Sequence, residues 1–251
     1  MNDRHEEIAS AVPADLEALP RLNGFRLRGM DMTRLEAFID AAFAFSVTMM
    51  VISVDRVPDN INDLLAAFRN VPAFIASIAV LGLFWRGHWL WSRRYGLEAG
   101  VSIFISWTML VTILIYIYPL KVIFGGMFYL LSDRAVGQPM SIQTAAQASA
   151  LFAVFAIGFT AISLEILLLN LRAYLLRDAL QLNEPEQITA RGEITGWAIP
   201  VCIGLVSLAL ALILPRSHVP WSGWIYFTLA LLVPLHARYR RRRIRAARER
   251  S

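Results

Sequence analysis

The sequence predicts an all-α integral membrane protein of six transmembrane helices, with both termini in the cytosol. Three observations carry that expectation. Of 251 residues, 57% are apolar and only 17% charged, and the mean hydropathy is +0.53, which is the composition of a membrane protein. Six apolar stretches, at about 35–54, 71–92, 101–118, 146–169, 197–214 and 221–236, approach the roughly 20 residues that a spanning helix needs. Each must be helical, because hydrocarbon offers a free backbone amide no partner. Arginines crowd alternate connections: Arg4, Arg21, Arg26, Arg28 and Arg34, then Arg93 and Arg94, then Arg172, Arg177 and Arg191, then the tail RYRRRRIRAARER. The other connections hold Arg56 and Arg69, Arg134, and Arg216. Basic loops stay inside, so the termini are expected there too.

Residues 1–33 carry Asp3, Glu6, Glu7, Asp15, Glu17, Pro13 and Pro20 with no unbroken apolar run. They are expected to be a cytosolic leader and not a cleaved signal. Residues 34–236 form the six-helix channel-sized membrane domain, and 237–251 a basic cytosolic tail. Between the first two spans, Asn60 with Asp63 three residues on starts a short interfacial helix that stops before Pro72. The second span ends in FWRGHWLWSRRYG, an aromatic belt beside Arg93 and Arg94. After the third, Pro119 and Lys121 interrupt the apolar run, and a kinked helix and a surface segment both fit. The fourth is expected to stay helical to about Pro185, with Glu165 snorkelling to the cytosolic surface, and Asn183–Thr195 to be a polar connector. Cys202 stands alone in the fifth span, which excludes an intramolecular disulfide and a cysteine metal site; packing is its expected role. The net charge of +5 resides largely in the tail, beside a membrane exit, so anionic lipid headgroups and not nucleic acid are its expected partner.

The first span, RLEAFIDAAFAFSVTMMVISV, keeps Glu36, Asp40, Ser46 and Thr48. On a helix of 3.6 residues per turn, Ala41, Phe45, Thr48 and Ile52 fall within about a sixth of a turn. That stripe is apolar apart from Thr48, while Phe38 and Phe43 lie off it and are assigned to packing. Asp40 points elsewhere, and an ionisable group inside a span pairs or faces water. Arg34, Trp85 and His88 are its candidate partners in a polar clasp between the first two spans; ion contact and proton transfer are the alternatives. The chain has only His5, His88, His218 and His236, with no H-x-x-x-H spacing and no nucleophile elbow, so an enzyme is not expected.

Arg34 followed by FIDAAFAFSVT, with Phe38 and Asp40, resembles the R-x-x-x-F-S-D-A-x-F-A signature of the transmembrane protein 175 family of potassium channels. FWRGH, Phe84 to His88, is similar to that family's F-W-x-x-H in its second helix. The resemblance covers the first 90 residues or so and fits a bacterial single-repeat member, expected in the bacterial inner membrane. It implies a homotetramer in which four copies of the first helix line a central pore for potassium ions, passive and leak-type, without a cofactor. Phe45 then stands at the family's apolar constriction, with Ile52 two turns along the same stripe, and Thr48 in its hydroxyl layer linked to ion preference. Arg34, Phe38, Asp40, Trp85 and His88 become the motif residues of the structural clasp. Ile39 stands where the family has Ser, and Phe45 where Ile or Leu is usual, so four converging phenyl rings would close the path by dewetting. No TVGYG filter occurs. The alternative is a proton-coupled transporter or proton-permeable channel with Asp40, His88 and Glu165 as a relay. A non-conducting structural protein whose tail binds lipid would need no axis-facing hydroxyl.

Overall fold

The computed structural model describes residues 16–52, 59–97, 100–137, 140–215 and 218–248. Arg4, Arg56, Arg216, the leader through Asp15 and the last three residues lie outside them, as does the side chain of Ile52.

Asn23 and Gly24 turn the chain at φ 53° and 79°, a pair of left-handed residues that fits a tight hairpin. They join β1 (Arg21–Leu22) to β2 (Phe25–Arg26), antiparallel, with Leu22 opposite Phe25. Part of the expected leader is therefore folded, and Phe25 is buried beneath it. Then come α1 (Arg34–Ile52), α2 (Ile61–Phe68), α3 (Val71–Tyr95), α4 (Val101–Leu131), α5 (Ala145–Leu175) and α6 (Glu184–Ile213). The chain ends in α7 (Trp221–Trp224), a 3-10 turn (Ile225–Thr228) and α8 (Leu229–Arg248).

Local chemistry sets these boundaries. The Asn60 side chain accepts from the amides of Asn62 and Asp63 and starts α2 where the sequence predicts a helix. Pro72 sits in the first turn of α3, where its missing N–H leaves nothing unpaired. α4 continues through Pro119 to Leu131, which decides the choice the sequence left open; its 31 residues reach about 46 Å, past the hydrocarbon core.

Four expectations change. α5 stops at Leu175, not near Pro185, and the chain turns over through Gln181 at φ 50°. The segment expected as a polar connector is the start of α6: Asn183 and Glu186 form a capping box, and Pro185 occupies the first turn. Proline there opens a helix instead of ending one. The last expected span is broken into α7, the 3-10 turn and α8. Cys202 is exposed on α6 of the protomer instead of buried.

Among the described residues, four helical stretches are long and apolar enough to cross a membrane: Ile61–Tyr95, Val101–Leu131, Ala146–Leu175 and Glu184–Ile213. The chain is an integral, multi-pass, all-helical membrane protein apart from the two-residue hairpin. Its main core joins α1, α3, α4 and α5 through Ile39, Phe43, Phe84, Ile113, Tyr116 and Ile162. A second core under the hairpin joins Phe25, Trp91, Tyr95 and Leu169.

Candidate pore-lining site on the first helix

α1 has two unlike faces. Glu36, Ile39, Phe43, Ser46 and Met50 are buried, and the helix packs on α3 and α4. On the opposite side Ala37, Phe38, Ala41, Ala44, Phe45 and Thr48 are exposed, with Phe45 54% and Phe38 49% accessible. Bare phenyl rings and three alanines at helical spacing make an apolar strip narrow enough for close approach of another helix. Phe38 is thus not a core residue, although its ring lies 5.3 Å from that of Trp107; Phe43 is.

The polar groups of α1 divide between the faces. Ser46 is fully buried and donates to the Ala42 carbonyl at 2.8 Å. Thr48 donates to the Ala44 carbonyl at 3.0 Å, which engages its only hydrogen and leaves its oxygen an acceptor on the exposed side. Glu36 is 2% exposed and lies 3.1 Å from Arg93 Nη2. Arg93 also donates through Nη1 to the carbonyls of Gly29 and Met30, so the start of α1 is tied to the end of α3. Sequence reasoning did not pair Glu36 with Arg93; the one signal was a carboxylate in the first turn and a span end rich in arginine.

The residues expected in the polar clasp are spread over two contacts. Trp85 Nε1 donates to Asp40 Oδ1 at 2.8 Å, joining α3 to α1. His88 is 2% exposed and shares a hydrogen bond of 3.1 Å between Nε2 and Ser106 Oγ, joining α3 to α4 instead. Arg34 is exposed at the first position of α1, and no contact joins it to Asp40 among the described residues. Glu165 accepts from Thr112 Oγ1 at 2.9 Å, between α4 and α5, and does not reach the surface as expected. Asp40, His88 and Glu165 therefore each hold a different partner and form no chain of hydrogen bonds with one another. Among the described residues no group of three or more His, Cys, Asp or Glu side chains is arranged to hold a metal.

Gly87 in the FWRGH string has a packing reason. A Cβ there would run into the Trp197 ring of α6, which stacks on Phe84 at 6.2 Å.

The family described as endosomal/lysosomal potassium channel TMEM175 matches residues 34–119, the stretch from α1 through α4 as far as Pro119. A curated protein of Marivirga tractuosa named "Potassium channel" is 32% identical over 222 residues, covering 84% of this chain and 87% of that one. The crystal structure of a single-substitution variant of the potassium channel MtTMEM175, in complex with a nanobody–MBP fusion, matches with a TM-score of 0.76. It is 26% identical and covers 88% of this chain and 98% of that one. A lysosomal potassium-selective channel TMEM175 homolog from Chamaesiphon minutus shares the fold, with a TM-score of 0.52 at 22% identity over 80% of this chain and 95% of that one. These relatives are ion channels and not enzymes. With similarity extending over most of its length and most of the Marivirga protein, the chain belongs to the TMEM175 family.

Proposed function

We propose that the chain is a potassium-favouring, passive, leak-type cation channel in which four copies of α1 surround a central path. One observation carries the reading: α1 leaves the stripe of Ala41, Phe45 and Thr48 exposed on the protomer, with Ala37, Phe38 and Ala44 beside it, while Glu36, Ile39, Phe43, Ser46 and Met50 on its opposite face are buried. A helix that packs one face on α3 and α4 and leaves the other bare has a use for the bare face. In this arrangement Phe45, with Ile52 beyond it, is the apolar constriction, which holds water and ions out until it widens. Thr48 is the rung where hydroxyl oxygens replace part of an ion's hydration. Asp40, held by Trp85, and Glu36, held by Arg93, fix the rotation of α1 so that this stripe and no other is presented. The six-span count, cytosolic termini, bacterial inner membrane and lipid contacts of the basic tail belong to the same reading. It is supported by the family, by the relatives' names and by the arginine distribution.

The test is potassium flux from liposomes holding the purified full chain. Wild type is expected to pass potassium down its gradient without a second solute, and Phe45→Ala to pass it on the order of tenfold faster, a barrier change of about 1.4 kcal/mol. Liposomes that stay potassium-tight with both proteins would sink the channel reading.

A further inference from the structure

A second concave feature lies on the other side of α3 from α1. It is a groove of about 690 Å³ between α3, α5, α6 and α8, bounded at its far end by α4 and α7. That is the size of an ordinary ligand site. From Val80 to Arg94 along α3 it runs 14 residues, about 21 Å, comparable with the hydrocarbon half of one leaflet and its headgroup layer. Its floor is apolar, with Phe84 stacked on Trp197. It is open along its side, since Leu83 is 64%, Phe227 53% and Val233 46% exposed. In a membrane-spanning protein that opening faces lipid.

The groove has a charged end. Arg94, Arg240 and Glu193 line that end, and Arg86 stands eight residues before Arg94 on α3, about 12 Å along the helix, so the groove holds three guanidiniums against one carboxylate. Glu193 is shared by Arg94 at 2.8 Å and Arg240 at 2.6 Å, so its charge is already committed. Arg86 is exposed, and no carboxylate lies within ion-pairing distance of it among the described residues. It sits nine residues before the end of α3, about 13 Å along the helix, where an arginine needs a counter-charge or a path to the interface. The tail arginines from Arg238 onward continue the same positive end.

We propose that this groove binds one anionic phospholipid, its acyl chain along Phe84 and Trp197 and its phosphate between Arg86 and the end held by Arg94 and Arg240. Shape selects an acyl chain, and the guanidinium charge in excess of Glu193 selects a negative headgroup. The site is separate from the bare face of α1, so its occupancy is measurable without reference to conduction.

The experiment is native mass spectrometry of the purified full chain, equilibrated in detergent with equal amounts of phosphatidylglycerol and phosphatidylcholine of matched acyl chains. Wild type is expected to retain one phosphatidylglycerol per copy, with a preference of about fivefold or more over phosphatidylcholine, as one basic residue at an anionic lipid confers. Arg86→Gln is expected to lose that preference. Ala230→Trp, which fills the groove from an exposed position on α8, is expected to lose retention of both lipids. Arg86→Met serves as the charge variant if Arg86→Gln does not fold. Equal retention of the two lipids by wild type overturns the proposal, and so does unchanged retention in both variants. Displacement of phosphatidylglycerol by millimolar inorganic phosphate would make it a free-anion site. A changed copy number in Ala230→Trp would assign the groove to a neighbouring subunit. Either result overturns the lipid assignment.

Discussion

The carboxylate of Glu186 receives five hydrogen bonds among the described residues, from Arg26 N, Nε and Nη2, Arg28 Nη2 and Asn183 N. The hydroxyl of Thr48 makes one, back to its own helix. Glu186 and Arg28 have no side-chain exposure and Arg26 only 7%, whereas Thr48 stands on a bare face. Around Glu186 nearly every lone pair and N–H is spent: Arg28 gives its remaining donors to the carbonyls of Leu180 and Arg26, and Phe25 lies under the guanidinium of Arg94 at 5.2 Å. Its hydrogen bond with Glu186, more than the surrounding charges, also raises the pKa of Arg26 above its ordinary value. A group so fully engaged has nothing left for a ligand. The difference teaches where to look for function in an apolar protein: at polar atoms whose bonding is incomplete on the side that faces outward, not at the densest ion pairs.

The largest effect is expected from breaking the closed cluster. Glu186→Ala leaves two buried guanidiniums without their carboxylate and removes the side-chain half of the cap on α6. Taking one partner from a buried pair costs about 3–5 kcal/mol, which at about 2–4 °C per kcal/mol lowers the melting temperature in detergent by about 6 °C or more. Differential scanning fluorimetry of the purified protein reads it. A fall of a degree or less would mean that the hairpin is not anchored there, and the contrast drawn above would lose one of its sides.

A smaller effect separates an intermediate case. Asp40 and Trp85 make a single bond across two helices, and Trp85 is 38% exposed. Asp40→Ala is expected to cost about 1 kcal/mol, the net worth of one hydrogen bond. Asp40→Asn keeps an oxygen for the indole N–H and should cost less. If the two variants melt together well below wild type, the charge of Asp40 has a partner beyond Trp85.

Much of this was legible in the sequence because it depends on period and length. Hydropathy located the helices from α1 to α6 to within a turn at most boundaries, and a 3.6-residue repeat picked out Ala41, Phe45 and Thr48, which the structure leaves bare. One group of differences has its cause in short signals carried by two or three residues. Asn23-Gly24 between Leu22 and Phe25 is a hairpin signal, and Asn183 with Glu186 is a capping box, yet each is embedded in a polar stretch whose composition alone suggests a leader or a connector. Pairings over long sequence distances left at most a compositional hint, such as the first-turn carboxylate of Glu36 and the arginine-rich end of α3. His88 facing Ser106, Glu36 facing Arg93 and Glu186 facing Arg26 depend on helix rotations that no local pattern encodes, and exposure of Cys202 depends on which side of α6 finds a neighbour.

The smallest structural change tests the open side of the comparison. Thr48→Val replaces an exposed hydroxyl by a methyl of the same shape, and its one bond is to its own helix, so stability should move by no more than about 0.5 kcal/mol. If the outward oxygen of Thr48 contacts a passing ion, the loss of one such contact per copy, at about 0.5–1.5 kcal/mol, changes the potassium to sodium permeability ratio about two- to tenfold. Thr48→Ser, which keeps the oxygen, should leave the ratio near that of wild type. Reversal potentials under bi-ionic conditions in planar bilayers measure all three proteins. Because the hydrogen of Thr48 is already held by the Ala44 carbonyl, the hydroxyl offers an ion only lone pairs. Ordering of valine apart from serine and threonine would tie ion preference to that oxygen, while three equal ratios would leave Thr48 as surface and move the search to another ring of the path.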